Sequence, residues 1–293
     1  MDIDQEDTTH HPVLSSGVTV TNLRGVLEGV AGPAPTGLGT LGFFGAERGA
    51  AGAPVLVSSR HVLFAYGARP TEPVYQPEFS RRGDSYEFQS DSLYPIATLC
   101  HEGLEGHHRY RYAGEVEDDY FVDCAAARLD EKYRARFRPA LPEPGIGGKT
   151  RIARTRRVVG ADRDVRVYKW GRKTGLTSGR LLDVKATVTG PGGVERRNVI
   201  VVKNDESACF ADDGDSGALL VNGRAEPVGL VWGKSETEPS IAFACHIHPV
   251  LDCLGLSLLT HAPSRRRLAT AHPHGALTAD ALLAREPAPT RPS

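Results

Sequence analysis

A short stretch at residues 209–217 carries the residue types of a reactive turn. It reads CFADDGDSG and runs directly into the apolar segment at residues 218–221. Gly214 can adopt a positive φ, so that successive amide N–H groups converge on one point. Such a turn can expose the hydroxyl of Ser216 beside a site that binds an oxyanion. Since Gly, Asp and Ser also dominate ordinary surface turns, a reactive role requires a base and an orienting acid elsewhere in the chain.

His61 and Asp123 are the candidates for that base and that acid. His61 follows the apolar run at residues 54–57 and begins a short helical turn, which predicts a position at the rim of a buried strand. Asp123 interrupts the apolar run at residues 120–129. A buried carboxylate is costly unless a charged or hydrogen-bonding group meets it, so Asp123 implies a partner. The alternative is that Asp123 caps the strand or faces water.

The composition is typical of a globular chain built mainly from strands. The 293 residues are 40% hydrophobic and carry a net charge of −1, which excludes the strong basic excess of many nucleic-acid-binding proteins. The 32 glycines and 20 prolines are scattered, which favours short strands joined by turns. Five cysteines without a CxxC pair indicate reduced thiols. With an acidic N-terminus and no apolar run long enough to cross a bilayer, the expected location is cytoplasmic.

Polar and broken stretches divide the chain into parts. Residues 1–16 lack an apolar period and predict a flexible leader. Apolar runs between residues 18 and 57 are typical of a small β-barrel or sandwich, and a second set between residues 165 and 202 again favours a barrel. A connector at residues 131–163 is interrupted by proline and glycine. Residues 246–258 have helical spacing, and residues 259–293 predict a mobile tail.

Two other clusters offer weaker alternatives. Cys100, His101, His107 and His108 could in principle bind a metal, but no spacing for a fourth ligand is recognisable, so solvated loop residues are the better interpretation. They lie in a proline-rich segment at residues 69–114, which predicts loops with one strand at residues 94–99. The arginine-rich connector could face nucleic acid or an acidic partner, but aromatic residues are not interleaved with the arginines.

The order His61, Asp123, Ser216 resembles that of the chymotrypsin-like (trypsin-like) serine peptidases, in particular bacterial and intracellular members. The turn GDSG at residues 214–217 is the most specific motif, whereas SSRHV at residues 58–62 departs from the usual form of the family, in which a cysteine follows the histidine. The stretch WGRKTGLTSG at residues 170–179 looks like the start of the second barrel in bacterial members. The resemblance covers about residues 18–258.

This resemblance implies an all-β fold of two six-stranded antiparallel β-barrels with a C-terminal helix. The expected peptidase domain spans residues 17–258. It contains a first barrel at about residues 17–130, the connector at residues 131–163, a second barrel at residues 164–245 and the helix at residues 246–258.

The resemblance also assigns roles in acyl transfer. His61 would take the proton of the Ser216 hydroxyl, and Asp123 would fix the imidazole tautomer and stabilise the imidazolium. The amides of Gly214 and Ser216 would form the oxyanion hole. Two rival acids, at positions 118 and 119, lie in a polar run before the strand, where a solvated carboxylate would orient the ring poorly. This chemistry needs no metal and no organic cofactor.

Further residues bear on substrate binding and maturation. By the resemblance, Val231, Trp232 and Gly233 would pair with the substrate main chain. Phe210 would lie at the floor of the primary pocket, which disfavours cleavage after Lys or Arg and favours a small or apolar side chain. In trypsin a new amino terminus pairs with the acid that precedes the serine. Since no Ile-Val-Gly-Gly-like start exists in this sequence, Asp215 needs another partner.

The sequence therefore predicts a serine endopeptidase that acts on protein or peptide substrates, without a membrane or nucleic-acid partner. One alternative is a catalytically silent trypsin-fold module that binds peptides in its groove. Another is a regulated effector or self-processing protease, in which the basic connector or the C-terminal tail recruits a regulatory partner. An intact His, Asp and Ser in family order favours the enzyme over the silent module.

Overall fold

The structure is a computed structural model, and the residues it describes belong to one unit at residues 1–262. They are residues 6–22, 24, 37–49, 52–82, 85–142, 149–190, 193–204 and 209–261. The predicted mobile tail lies outside the described residues from position 262 onward.

Strands form most of the described chain, in two groups joined by a connector. The first group contains β1 (Leu14–Ser15), β2 (Thr19–Asn22), β3 (Leu38–Thr40), β4 (Phe43–Glu47), β5 (Val55–Ser58), β6 (Pro73–Arg82), β7 (Ser85–Tyr110) and β8 (Asp118–Leu129). The connector contains β9 (Phe137–Arg138), β10 (Ala140–Pro142) and β11 (Lys149–Arg151). The second group contains β12 (Arg166–Gly171), β13 (Gly175–Thr189), β14 (Glu195–Asn204), β15 (Leu219–Asn222), β16 (Pro227–Lys234) and β17 (Ile241–His246).

Helices are short. Helix α1 (Arg60–Leu63) follows β5, and helix α2 (Ile247–Cys253) follows β17 and leads to the last strand, β18 (Leu256–Leu258). The predicted helix at residues 246–258 is therefore too long, because Gly255 adopts a φ of +63° and the chain turns into β18. No helix in the described part of the chain has the length and apolar character needed to cross a membrane.

The sheet topology confirms the all-β prediction, but the first sheet has more strands than predicted. The second group closes into a six-stranded barrel with the order β12-β13-β14-β17-β16-β15. The first group forms an eight-stranded sheet, β18-β4-β5-β8-β7-β6-β2-β3, rather than the expected six strands. One added strand is β18, which returns from the second half and pairs with β4, so that Leu256 lies opposite Glu47.

The segment at residues 69–114 is not a set of loops as predicted, because β6 and β7 form a long antiparallel hairpin. The prediction of loops rested on prolines such as Pro77 and Pro95. Both lie beside register shifts of this hairpin, where the ladder of hydrogen bonds is already interrupted. A residue without an N–H group is tolerated at such a bulge.

Three apolar clusters hold the fold together. One lies in the first sheet around Leu56 and Phe44, and another fills the closed barrel around Leu220 and Phe210. The third cluster joins the two groups of strands. It combines residues of the first group with residues of β14, β15, β16 and α2: Phe43, Val57, Val122, Val199, Leu219, Leu230 and Val250. The site described below lies where these two groups meet.

Residues 6–16, for which the sequence predicts a flexible leader, pack against the body of the protein. Leu14 is fully buried in the first core, and the carbonyl of Thr8 accepts a hydrogen bond from the amide of Phe79. The Asp7 carboxylate accepts one from the amide of Thr19 at 2.7 Å. Polar contacts and the one buried apolar side chain, that of Leu14, hold this segment, so the sequence has no periodic apolar pattern here.

Candidate active site

Antiparallel pairing of β5 with β8 brings His61 and Asp123 together. Ser58, the last residue of β5, lies opposite Ala125 of β8, and α1 begins two residues later with Ser59 as its N-cap. The Asp123 carboxylate is buried and accepts a hydrogen bond from Nδ1 of His61. Its other oxygen accepts hydrogen bonds from the first two amides of α1, of Arg60 at 2.7 Å and of His61 at 3.3 Å.

These contacts fix the orientation and the charge of the imidazole. Burial of His61 lowers its pKa, but the charge of Asp123 and the hydrogen bond to it raise the pKa above the ordinary value of 6.5. The ring remains 35% exposed. Its second nitrogen, Nε2, forms no hydrogen bond with any described residue. The ring can therefore accept a proton on the side that faces away from Asp123.

Ser216 lies in the turn at residues 212–217, which we call the serine turn. Its hydroxyl donates a hydrogen bond to the carbonyl oxygen of Trp232 at 3.3 Å, and within the described chain it is not hydrogen-bonded to His61. A Cβ on Gly39 would lie 2.5 Å from the Val62 side chain and 3.0 Å from the Ser216 carbonyl oxygen. Strand β3 thus passes closely between α1 and the serine turn.

Hydrogen bonds across the two groups of strands hold this arrangement. The hydroxyl of Ser59, beside His61, donates to the carbonyl of Val231 at 3.4 Å. The amide of Thr40 donates to the carbonyl of Ser216 at 2.9 Å, and its hydroxyl donates to the carbonyl of Gly214 at 2.9 Å. These hydrogen bonds join the first and second groups of strands next to α1 and the serine turn.

Two glycines determine the backbone path of the serine turn. Gly214 and Gly217 adopt φ values of +108° and +92°. A Cβ at Gly214 would lie 2.5 Å from Nε of Arg172, and one at Gly217 would lie 2.1 Å from Oγ of Ser58, so both positions require glycine. The amides of Gly214 and Ser216 donate no hydrogen bond to the described residues. Both N–H groups are thus available to an oxyanion.

Comparisons with known proteins agree with this architecture. No protein-family model and no curated protein sequence matches the chain. Solved structures do match: chymotrypsin of Cellulomonas bogoriensis at 18% identity, and Protease A of Thermobifida fusca at 15% identity. Each has a TM-score of 0.53, and each alignment covers 84% of this chain and 100% of the other. The chain has the chymotrypsin fold.

Within this chymotrypsin fold, Asp215 has a partner that the sequence did not reveal. Its carboxylate and the ammonium group of Lys169 on β12 are both fully buried, with Nζ and Oδ2 3.0 Å apart. The amides of Lys173 and Thr174 donate to Oδ1 at 2.8 and 3.2 Å, and the Thr174 hydroxyl donates to Oδ2 at 2.6 Å. The sequence signal was weak: a lysine within the otherwise apolar and aromatic strand VYKWG.

This environment keeps Asp215 charged. Burial raises the pKa of its carboxyl group, but the charge of Lys169 and the hydrogen bonds from Thr174 and Asp212 outweigh burial and lower the pKa. The pair therefore anchors the serine turn to β12 without a newly formed amino terminus.

A second buried ion pair reaches the serine turn from the N-terminal segment. Glu6, only 3% exposed, pairs with the buried guanidinium of Arg172 and with Lys173, whose Nζ lies 3.0 Å from Oε2. Burial raises the pKa of Glu6, but the charges of Arg172 and Lys173 outweigh it and lower the pKa. Arg172 in turn donates its amide to the hydroxyl of Thr40 at 3.0 Å.

The residues expected to bind substrate occupy different environments. Phe210 is fully buried in the core of the barrel, and its carbonyl accepts a hydrogen bond from Thr177 at 2.8 Å. Val231 is buried and bonded to the serine turn through the amide of Gly217 at 2.7 Å. A Cβ on Gly233 would meet nothing within 4 Å, so open space lies above the strand there.

The histidines of β7 have separate hydrogen-bond partners. His101 pairs with Glu47 at 3.3 Å and His108 with Asp252 at 3.0 Å, while Nε2 of His107 accepts a hydrogen bond from the amide of Arg197. No group of three ligating side chains occurs among the described residues. All five cysteines are free thiols.

Proposed function

We propose that the protein is a serine endopeptidase with His61, Asp123 and Ser216 as its catalytic residues. The observation that carries the proposal is the buried Asp123 carboxylate bonded to Nδ1 of His61, which leaves Nε2 available beside the serine turn. One fold can carry unrelated functions. The proposal therefore depends on these residues and not on the chymotrypsin fold alone.

In the proposed reaction the Ser216 hydroxyl leaves its bond to Trp232, donates its proton to Nε2 of His61 and attacks the carbonyl carbon of the peptide bond. The resulting oxyanion accepts hydrogen bonds from the amides of Gly214 and Ser216. His61 then gives the proton to the leaving amine, and an acyl-enzyme remains. A water molecule, deprotonated by His61, hydrolyses this ester and restores the serine.

An unpaired strand edge supports binding of an extended substrate. The ladder between β15 and β16 ends at Leu219 and Leu230, and the amide of Val231 still bonds to Ala218. From Trp232 onward, that edge of β16 pairs with no described strand. A substrate can add there as an antiparallel strand beside Trp232 and Gly233. The expected pairing with Val231 is not supported, because its amide and carbonyl are already hydrogen-bonded to Ala218 and Gly217.

The proposal for primary specificity rests on the resemblance, in which the position of Phe210 lies at the floor of the primary pocket. In the structure Phe210 is buried in the barrel core. An aromatic ring in place of an acid provides no charge to bind Lys or Arg, so we propose cleavage after a small or apolar residue. The five free thiols support a reducing, cytoplasmic location, and the chemistry requires no metal or organic cofactor.

Labelling with a fluorophosphonate tests the proposal. The wild type should form a stable adduct at Ser216, whereas Ser216→Ala and His61→Ala should not be labelled. Ser235→Ala, which changes another serine near the cleft, should react like the wild type. If the wild type is not labelled and accumulates no acyl intermediate with apolar peptide esters, the silent peptide-binding module becomes the better interpretation.

A further inference from the structure

The side chain of Arg196 on β14 lies over two aromatic rings in the cleft. Its guanidinium carbon is 4.9 Å from the ring centre of Trp232 and 5.1 Å from that of Phe121. A Cβ on Gly190 would lie only 1.3 Å from Nη1 of Arg196, so the guanidinium occupies space that a glycine leaves open. Aromatic faces favour a cation in this position and hold it in one orientation.

The side chains of Arg196 and Trp232 include two hydrogen-bond donors without an acceptor among the described residues. No described carboxylate forms an ion pair with Arg196, whereas the adjacent Arg197 pairs with Glu195 at 3.5 Å. Nε of Arg196 and Nε1 of Trp232 are both buried and have no hydrogen-bond acceptor in the described chain. Because an unmet buried donor costs about 1–3 kcal/mol, the two groups together indicate a site for an acceptor.

Arg196 and Trp232 both line a cavity of about 380 Å³. Its other charged lining residues are Lys234 and Glu236. Lys234 is already neutralised by Asp212 at 2.5 Å and Asp213 at 3.3 Å. Glu236 is exposed and pairs with none of the described cations. Arg196 is therefore the lining cation whose charge remains available to a ligand.

The ring of Trp232 connects this cavity with the strand edge proposed to bind substrate. Burial lowers the pKa of His61, and the charge of Arg196 makes a small contribution in the same direction, against the larger effects of Asp123 and Glu105 that raise it. The guanidinium of Arg196 lies over the ring of Trp232, and Trp232 belongs to the strand edge proposed to pair with substrate. In an added strand, alternate side chains point to the same face.

We propose that Arg196 is a specificity-determining residue that binds a carboxylate side chain of the substrate, a Glu or Asp within four residues on the acyl side of the scissile bond. This deepens the proposed function and rests on it. A carboxylate fits the two-pronged donor edge of a guanidinium and accepts bidentate hydrogen bonds from it. The indole N–H of Trp232 supplies a third donor.

Matched chromogenic peptides test the proposal in turnover. Each has an apolar residue before the scissile bond and either Glu or its neutral isostere Gln at the second, third or fourth position. At one position the wild type should show a kcat/KM about tenfold higher for Glu. Arg196→Gln should reduce that ratio to about one, Arg196→Lys should retain part of it, and Arg197→Gln should leave it unchanged. A wild-type ratio near one at all three positions, or a ratio that survives in Arg196→Gln, would overturn the proposal.

Binding measurements separate this proposal from the proposed function. The variant Ser216→Ala should bind a fluorescent Glu peptide about tenfold more tightly than the Gln peptide in fluorescence anisotropy, and Arg196→Gln in the same background should abolish the difference. If fluorophosphonate fails to label the wild type but this preference is present, the enzyme proposal fails and the role of Arg196 stands. If labelling succeeds and no preference is found in binding or turnover, only the role of Arg196 fails.

Discussion

At His61, opposing effects on one imidazole set the pH range in which the proposed enzyme works. Burial lowers the pKa of His61, and Asp123 raises it above 6.5. Catalysis needs the neutral ring, and a raised pKa keeps the ring protonated to a higher pH. We therefore expect kcat/KM for a neutral peptide to rise with pH through an inflection above 6.5, in a titration from pH 5 to 9. An inflection below 6.5 would contradict this prediction.

The acid that causes the raised pKa can be tested by a matched pair of variants on β8. Asp123→Asn removes the charge and should move the inflection to lower pH. It should also reduce kcat by about 10⁴-fold, as expected when the imidazole loses its orienting carboxylate. Asp118→Asn changes an exposed rival acid on the same strand and should have little effect on either quantity. A large loss of kcat in Asp118→Asn alone would reassign the acid.

Residue types nominate some members of the candidate site and leave out others, for a physical reason. Acyl transfer restricts the base, acid and nucleophile to few residue types, so His61, Asp123 and Ser216 could be nominated from their order and surroundings. Lys169 and Glu6 support the turn only through ion pairs formed by distant parts of the chain, and no local pattern marks them. The sequence also gives no signal for Arg196, because its proposed role depends on the rings of Phe121 and Trp232, which only the fold brings together.

At the scale of elements, strand β12 acts as the support of the serine turn. Lys169→Met should leave the charge of Asp215 buried without its counter-ion, at a cost of about 3–5 kcal/mol in the free energy of unfolding. We expect urea denaturation to show this loss, and the rate of fluorophosphonate labelling to fall as the turn loosens.

Two variants make this test specific. Lys203→Met breaks a solvent-screened ion pair with Glu238 that is about half exposed, so it should destabilise the fold far less than Lys169→Met. The double variant Lys169→Met/Asp215→Asn removes both buried charges and should recover part of the lost stability but not the labelling rate. If Lys169→Met is no less stable than Lys203→Met, the pair does not support the turn.

Elements with a regular apolar pattern could be predicted from the sequence, and those whose limits depend on tertiary pairing could not. The all-β architecture follows from apolar runs separated by glycine-rich turns, and the closed second barrel agrees with it. The hairpin of β6 and β7 was missed because Pro77 and Pro95 are tolerated at bulges that only the pairing creates. The helix predicted at residues 246–258 includes strand β18, because the apolar residues of this strand continue the helical spacing of α2.

At the scale of the whole molecule, the N-terminal segment ties the first group of strands to the serine turn. The buried carboxylate of Glu6 holds Arg172 and Lys173, and the amide of Lys173 bonds to Asp215. Glu6→Gln should destabilise the fold by about 3 kcal/mol. It should also lower kcat more than it raises KM, because the amides of Gly214 and Ser216, which are proposed to bind the oxyanion, lose their support. Thermal unfolding and steady-state kinetics measure both effects.

The exposed residue Glu131 provides the control for Glu6. Glu131→Gln removes an acid of the same size from the surface and should change neither stability nor kcat beyond experimental error. A Glu6→Gln protein with normal kcat would show that the segment stabilises the fold without positioning the turn.

The pH dependence of global stability depends on His246, which is buried at the junction of β17 and α2. Its Nε2 donates a hydrogen bond to the carbonyl of Val184 at 2.7 Å, and burial lowers its pKa to about 4. The unfolded chain, with a histidine pKa near 6.5, binds the proton first as the pH falls. The stability that comes from keeping His246 neutral is therefore fully present above pH 6.5 and is lost as the pH falls from about 6.5 to 4. The total loss over this range is about 3 kcal/mol in the free energy of unfolding.

Urea denaturation at pH 8, 6.5, 5.5 and 4.5 measures this loss. The wild type should lose stability steadily below pH 6.5, although the raised pKa of His61 acts in the opposite direction. His246→Gln cannot take up a proton, so its stability should vary less over the same range, and the two proteins should have parallel profiles above pH 7. If the wild type and His246→Gln have the same slope between pH 6.5 and 4.5, protonation of another group causes the acid instability.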